Sequence, residues 1–174
     1  EKARYQIDNL VEIYKENGCN SALLNLGGNV VALGSRPDGN PWNIGIQNPR
    51  SVNGEVIGFV KVTDKAVVTS GDYQRYFEKD GRRYHHIIDP HTGFPAESGL
   101  MSVTLISSSS LKADAFSTAV FIMGLEKGRE LIQKDGQAEA IFITNDKEVY
   151  VTEGLQGSFQ FLDESNEYTY VQEG

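Results

Sequence analysis

The sequence predicts an α+β domain in which helices pack against antiparallel sheets. Many short apolar segments have the length and alternation of strands, turn residues separate them, and only a few segments with helical spacing lie between them. The chain has 174 residues, of which 39% are hydrophobic and 23% charged, a composition typical of globular proteins. We therefore expect a single domain over residues 1–174.

The first half of the chain is predicted to form one helix followed by strands. Four apolar residues from Ile7 to Tyr14 are spaced i, i+3, i+4, i+7, which predicts an amphipathic helix that ends at Asn17-Gly18. The strands predicted over residues 58–62 and 66–69 are expected to pair as a hairpin across Thr63-Asp64-Lys65. The predicted strands cover residues 21–26, 30–33, 42–47, 58–62 and 66–69.

The second half is predicted to contain hairpins and two further helices. Asp80-Gly81 lies between aromatic residues, as in the turn of a hairpin. The polar residues 107–110 are expected to cap a helix. The remaining predicted elements are a strand over 100–106, helices ending near Gly124 and over about 126–134, a hairpin across 145–147, and an edge strand or pair of strands with a frayed end within 153–174.

Charge and cysteine content exclude some classes of function. The chain has 16 Lys and Arg against 24 Asp and Glu, a formal net charge of −8. An acidic chain does not favour nucleic acid, so no nucleic-acid partner is expected, and a phosphate-bearing ligand would need a metal ion or backbone amides. Cys19 is the only cysteine, which excludes an intrachain disulfide or a cluster of thiolate ligands.

All three histidines of the chain lie in one short segment, His85 to His91. His86 is expected at the end of a strand before the Asp89-Pro90 turn, a position suited to a general base. The alternative is a surface histidine, or one that is hydrogen-bonded for structural reasons. Because His85 and His86 alternate across the strand, only one can face a given site, and His91 is expected in the turn, exposed to solvent.

Asp114 and Thr118 are spaced i, i+4 on a predicted helix and so share one face of it. A carboxylate and a hydroxyl at this spacing can present two oxygens to Mg²⁺, which prefers oxygen ligands. The alternative is structural, since an acid near a helix N-terminus complements the helix dipole and a threonine can bond back to a carbonyl.

Two turns of small residues follow predicted strands. Asn25 to Asn29 includes Gly27-Gly28, and Ser70-Gly71-Asp72-Tyr73 is similar. Glycine permits close approach of backbone to a ligand, but no clear helix follows Gly27-Gly28, so it is neither a Rossmann nor a P-loop motif. Taken alone, each turn is compatible with a structural role or a ligand contact.

Together and in order, these motifs resemble the ApbE-type flavin transferases, the FAD:protein FMN transferase family. The resemblance covers roughly Tyr5 to Val151, and the His-x-Ile-Asp-Pro-x-Thr-Gly and Ala-Asp-Ala-x-x-Thr motifs are specific to it. It implies the T-fold-like α+β architecture of that family. The matching segments are Leu26 to Asn29, Trp42 to Pro49, Thr69 to Tyr73, His86 to Pro95 and Ala113 to Ala119.

The resemblance implies a reaction and a set of site residues. Members bind FAD with Mg²⁺ and move the FMN moiety onto a threonine or serine hydroxyl of an acceptor protein, releasing AMP. Asp114 and Thr118 match Mg²⁺ ligands, and His86 matches the base for the acceptor hydroxyl. The positions expected to contact the cofactor are Asp8, Gly27, Gly28, Asn29, Ser70, Gly71, Tyr73 and Ile88.

The sequence also departs from the family pattern. Arg4 replaces a glycine, and Ser117 stands where some relatives have an acid. Part of the flavin pocket and a backbone-carbonyl metal ligand are expected before Glu1, so a complementing N-terminal segment or a homodimer is expected. An extracytoplasmic, membrane-associated location is also implied. The alternatives are an FAD pyrophosphatase, which would release FMN and AMP, and a non-catalytic flavin-binding domain.

Overall fold

The computed structural model describes residues 2–51 and 53–172 of the chain, with the side chains of residues 2–6 excluded. The Arg4 side chain therefore lies outside what is described, as do Glu173 and Gly174, the last residues of the stretch predicted to have a frayed end. The helices are α1 Lys2–Glu16, α2 Ser110–Met123 and α3 Leu125–Asp135, with a short 3-10 helix at Glu153–Leu155. The strands are β1 Ala22–Leu26, β2 Asn29–Leu33, β3 Trp42–Gln47, β4 Val56–Val62, β5 Lys65–Gly71, β6 Tyr76–Lys79, β7 Arg82–His85, β8 Leu100–Ser107, β9 Ala138–Thr144, β10 Glu148–Val151, β11 Phe159–Phe161 and β12 Thr169–Tyr170.

The strands form a seven-stranded sheet of order β1-β2-β5-β8-β9-β10-β12, a three-stranded sheet of order β11-β4-β3, and the separate hairpin β6-β7. Neighbours in the large sheet are antiparallel except β10 and β12, which are parallel. The fold class predicted from the sequence, α+β with antiparallel sheets and packed helices, is confirmed.

Two hydrophobic clusters lie on opposite faces of the large sheet. On β5, Val68 joins the cluster that contains Phe121 of α2, whereas Val67 joins the cluster that contains Ile57 of β4. Successive residues of a strand point to opposite faces, so one strand supplies both clusters. Every residue of β8 is buried, as expected for a central strand covered on both faces. The helices and the small sheet therefore form layers on either side of the large sheet.

The hairpin predicted across Thr63-Asp64-Lys65 is wrong. The chain does reverse there, but β4 pairs with β3 and β11, whereas β5 pairs with β2 and β8. Val62 and Val67, on either side of the turn, belong to the same buried cluster. The two strands therefore face each other through their side chains in different sheets. The turn itself is held by Asp64, whose Oδ1 accepts a hydrogen bond from the Gly34 amide at 2.8 Å.

The other predicted elements are present within a few residues of their expected bounds. The β6-β7 hairpin turns at Asp80-Gly81, and the acidic C-terminal stretch supplies two short strands, β11 and β12, at the edges of two sheets. Ser109 caps α2, since its side chain accepts from the Lys112 amide at 3.2 Å, as the polar run predicted. No helix in the described part of the chain has the length and apolar character that a bilayer crossing requires.

Candidate functional site at the second helix

The helix α2 lies across β5, and a small group of hydroxyls occupies the contact between them. Ser70 is on the face of β5 that also carries Val68, so its side chain meets the helix. Its Oγ lies 2.8 Å from the Oγ of Ser117 and 3.4 Å from the Oγ1 of Thr118. The structure thus brings together two predicted site residues, Ser70 and Thr118, that are far apart in sequence.

Asp114 and Thr118 lie one turn apart on α2, with Thr118 exposed and Asp114 partly exposed. Both offer oxygen, the donor that Mg²⁺ prefers. Within residues 2–51 and 53–172, no three side chains of His, Cys, Asp or Glu gather into a metal-binding cluster. Further ligands would therefore be hydroxyl, carbonyl, phosphate or water oxygens, which also suit Mg²⁺. The residues present fit a hard divalent cation.

The two adjacent histidines point to opposite sides, as the strand alternation predicted. His85 is buried, with Nε2 3.1 Å from the Ala96 carbonyl oxygen and Nδ1 accepting from the Ile87 amide at 3.3 Å. Burial lowers the pKa of His85 below its ordinary value, which favours the neutral ring. Both nitrogens of His85 are therefore occupied in a structural role.

His86 is exposed, and its Nδ1 lies 3.3 Å from the Arg75 carbonyl oxygen. A carbonyl oxygen only accepts, so this contact requires a proton on Nδ1. In the neutral tautomer with that proton, the lone pair is on Nε2 and can accept from a proton donor. The neighbouring His85 ring meets the Phe121 ring edge-on at 5.5 Å, which anchors this segment to α2 one turn beyond Thr118. His91 is exposed in the turn, as predicted.

Gly71 and Tyr73 follow Ser70 at the end of β5, whereas Ile88 lies in the segment after β7. Gly71 is buried, and a Cβ there would lie 2.5 Å from the Tyr73 ring, so any larger residue would displace that ring. Burial raises the pKa of Tyr73 to about 12. Ile88, 46% exposed, bridges to Pro95.

The Gly27-Gly28 turn leads into a buried amide. Both glycines are exposed and have positive φ, 64° and 93°. Asn29 follows and is only 3% exposed, and its Nδ2 has no hydrogen-bond acceptor among the described residues. Because Asn29 is opposite Val68 in the register, its side chain lies on the same face of the sheet as Ser70. A ligand at this face could accept from Asn29.

Asp8, an expected cofactor contact, lies against the N-terminus of α2. Its Oδ1 accepts from the Ser110 amide at 3.2 Å and its Oδ2 from the Leu111 amide at 3.3 Å. These are free amides at the N-terminus of α2, so Asp8 caps that helix from α1. The role of Asp8 as a cofactor contact remains a prediction.

A network that the sequence did not reveal supports the Ser70–Tyr73 turn. The two nitrogens of Arg50 bind the two carboxylate oxygens of Asp72 at 2.7 and 2.7 Å, and Arg83 approaches the same carboxylate at 3.6 Å. The hydrogen bond with Asp72 raises the pKa of Arg50. Asn48 accepts from the Tyr168 hydroxyl at 2.7 Å. The motif segments contain Asn48 and Asp72, but nothing in the sequence shows the pairing with Arg50.

A protein-family model described as the ApbE family matches residues 3–142. The chain belongs to the ApbE family. Its fold agrees with solved members: a Thermotoga maritima ApbE protein superimposes with a TM-score of 0.80 at 35% identity, covering 89% of this chain and 50% of that one. An apo flavinyl transferase ApbE from Pseudomonas stutzeri gives 0.74 at 38% identity, covering 90% and 49%.

Curated ApbE relatives carry the name FAD:protein FMN transferase. One from Treponema pallidum is 40% identical over 164 residues, which are 90% of this chain and 45% of that protein. One from Klebsiella pneumoniae is 38% identical over 159 residues, covering 91% and 48%. The chain thus spans about half the length of the relatives it matches.

Proposed function

We propose that this ApbE-family chain takes part in Mg²⁺-dependent transfer of the FMN moiety of FAD to a threonine or serine hydroxyl of an acceptor protein, with release of AMP. The observation that carries the proposal is the oxygen-lined face of α2, where Thr118 contacts Ser70 and lies one turn from Asp114. The name FAD:protein FMN transferase, shared by relatives at 38–40% identity, supports the same reaction.

In this proposal the metal and the base lie on different elements. Asp114 and Thr118 would hold Mg²⁺, which neutralises charge on the diphosphate. His86 accepts the proton of the acceptor hydroxyl at Nε2. The hydroxyl oxygen forms a bond to the phosphorus of the FMN half, the diphosphate P–O bond breaks, and AMP leaves with that bridging oxygen. The net charge of −8 makes a cation at the diphosphate more necessary.

The remaining predicted contacts would bind FAD. Gly27 and Gly28 offer exposed backbone, the unpaired Nδ2 of Asn29 offers a donor, and exposed Ile88 offers apolar surface. The proposed partners are the acceptor protein and a polypeptide that completes the pocket, either a preceding segment or a second copy of the chain. A location outside the cytoplasm, in association with a membrane, is part of the same proposal.

The proposal is tested by incubating the chain with FAD, Mg²⁺ and an acceptor domain that exposes a threonine. The same mixture is also prepared with a polypeptide corresponding to the half of the relatives that this chain does not span. Intact-protein mass spectrometry should show one FMN added to the acceptor, with one AMP released. An acceptor with valine in place of the threonine is the control. Absence of both adduct and AMP in both mixtures would show that the proposal is wrong, and FAD binding without turnover in both would favour a non-catalytic domain.

An FAD pyrophosphatase is the second candidate. The exposure of His86 favours it, because water can reach the same nitrogen as an acceptor hydroxyl. The two reactions separate in one measurement, since the pyrophosphatase releases AMP at an undiminished rate when the acceptor is omitted.

A further inference from the structure

Three hydroxyls form a short chain between β5 and α2. Ser117 is fully buried and Ser70 is 9% exposed, whereas Thr118 is exposed on the helix surface. Buried hydroxyls are costly unless they are hydrogen-bonded, and alanine would pack at either serine position without that requirement. The role of the two serines therefore follows from the hydrogen bonds that their hydroxyls make.

The directions of these hydrogen bonds follow from proton counting. Ser117 Oγ lies 2.9 Å from the backbone carbonyl oxygen of Asp114, which can only accept, so Ser117 donates its single proton there. The 2.8 Å contact between Ser70 and Ser117 then requires Ser70 to be the donor. With its own proton engaged, Ser70 can only accept from Thr118.

The resulting order is Thr118 to Ser70 to Ser117 to the Asp114 carbonyl oxygen. It turns the proton of Thr118 inward, toward β5, and leaves the lone pairs of its Oγ1 facing outward on the helix face that also carries Asp114. A cation is bound by lone pairs and repelled by a hydroxyl proton. The chain of hydroxyls thus presents Thr118 in the orientation that a metal ligand needs.

We propose that Ser70 and Ser117 are positioning residues that orient the Thr118 hydroxyl toward Mg²⁺. This inference rests on the proposed function. The contact between Ser70 and Thr118, at 3.4 Å, is longer than the roughly 2.5–3.0 Å usual for hydroxyl pairs. A bound cation polarises the Thr118 hydroxyl and makes it a stronger donor, so metal binding tightens this contact.

The test measures metal affinity rather than activity. Mn²⁺ replaces Mg²⁺, and free Mn²⁺ is followed by electron paramagnetic resonance in a titration of the full chain, with and without FAD. The variants are Ser70→Ala, Ser117→Ala and the double variant. Thermal unfolding without metal checks each fold.

The chain offers a matched control on the same strand. Thr69 and Thr104 form a hydroxyl pair at 2.8 Å between β5 and β8, on the face of β5 opposite Ser70. Thr69→Val breaks this pair without touching the hydroxyls at α2. It should leave the Mn²⁺ affinity unchanged.

Each serine variant should bind Mn²⁺ about tenfold more weakly, the usual effect of removing a group that orients a metal ligand. Because the hydroxyls act in series, the double variant should bind Mn²⁺ no more weakly than Ser70→Ala does. Independent effects would instead make its Mn²⁺ affinity about a hundredfold lower than that of the parent. Parent-like affinity in folded Ser70→Ala, or additive losses in the double variant, would overturn the inference. If Ser117→Ala does not fold, Ser70→Ala alone decides.

Asp114→Asn separates failure of this inference from failure of the proposed function. If Asp114→Asn removes Mn²⁺ binding and the serine variants do not weaken it, only the positioning role is wrong. If the parent chain binds no Mn²⁺ with or without FAD, or Asp114→Asn has no effect, the metal site of the proposed function is wrong and the inference is overturned with it.

Discussion

The face of α2 that carries Thr118 and the segment that carries His86 are built in different ways. The hydroxyls at α2 contact β5, a central strand of the seven-stranded sheet. His86 directly follows the two-stranded β6-β7 hairpin, in which every residue of β6 is exposed. The proposed metal ligands are thus held by the packed interior, whereas the proposed base lies on a surface element.

This difference indicates that the α2 face is preorganised to a greater degree than the segment around His86. Groups fixed by a packed core keep their geometry without a ligand, whereas elements with few buried contacts open more readily. The segment around His86 is held to the core by its neighbours His85 and Ile87, which are buried beside α2. A partner bound over this segment would order the base, so we expect metal binding to depend less on partners than transfer does.

The largest expected effect on the transfer rate is at the proposed metal ligands on α2. Asp114→Asn should lower FMN transfer roughly 10³-fold, because a metal ion contributes several kcal/mol of charge stabilisation in the transition state. The rate of AMP formation at saturating FAD, with Mg²⁺ varied, is the measurement. Addition of excess Mg²⁺ should restore little activity. A variant with parent-like rate and Mg²⁺ dependence would show that the metal does not bind at Asp114.

The adjacent histidines provide the next comparison. His86→Ala should lower transfer about 10²-fold or more, the usual contribution of a general base, and leave the free energy of unfolding nearly unchanged because its side chain is exposed. His85→Ala should lower the free energy of unfolding by about 2–3 kcal/mol, because it empties space beside Phe121. Urea unfolding and transfer rates are compared on both variants. Equal rate losses in folded samples of the two would contradict this division of roles.

The pH dependence of stability should separate the same two positions. The folded-state pKa of His85 lies below the ordinary value of 6.5, so the unfolded chain binds this proton more readily. The stability that a neutral His85 contributes is fully present above pH 6.5 and is lost as the pH falls through the lowered folded-state pKa. The slope of unfolding free energy against pH below 6.5 should therefore flatten in His85→Ala and persist in His86→Ala. An unchanged slope in His85→Ala would contradict the assignment.

The sequence predicted best what depends on local periodicity. The opposite orientations of His85 and His86 follow from strand alternation, and the start of α2 follows from its polar cap. Long-range contacts could not be predicted in this way, since Ser70 and Ser117 are 47 residues apart and Arg50 and Asp72 are 22 apart.

The hairpin across Thr63-Asp64-Lys65 was wrongly predicted for the same reason, since strand pairing depends on long-range contacts. The turn residues from Thr63 to Lys65 determine that the chain reverses, but not whether the flanking strands meet edge to edge or face to face. That choice depends on which other strands cover their edges, and β5 lies between β2 and β8 in the large sheet. Asp8 is a similar case. The family resemblance implied that this residue belongs to the site, but only the fold shows that it reaches the amide of Ser110, 102 residues away.

A moderate effect is expected where the hairpin is anchored to the body of the domain. Asp72→Asn weakens the two hydrogen bonds from Arg50, and hydrogen bonds to charged groups contribute about 1.5–3 kcal/mol. It also removes the attraction on Arg83 of β7, an ion pair at 3.6 Å that contributes at most about 1 kcal/mol. The hairpin should open more often, so trypsin should cleave after Lys79 or Arg82 faster than in the parent chain. Mn²⁺ affinity should change little, because the α2 hydroxyls do not contact Asp72. Unchanged cleavage would show that the hairpin is held by other contacts.

The smallest expected effect is at the N-terminus of α2. Asp8→Ala leaves the amides of Ser110 and Leu111 without their carboxylate, and loss of a helix cap costs about 1 kcal/mol. Ser109 still caps the same helix, so the α2 face should keep its shape and its Mn²⁺ affinity. Urea unfolding gives the cost in stability, and titration with FAD tests the cofactor role implied by the family resemblance. If Asp8 is only a capping residue, the FAD affinity of the variant should stay within about twofold of the parent. A roughly tenfold loss of FAD affinity in a folded variant would show that Asp8 contacts the cofactor. The site would then extend beyond α2 and the His86 segment to α1.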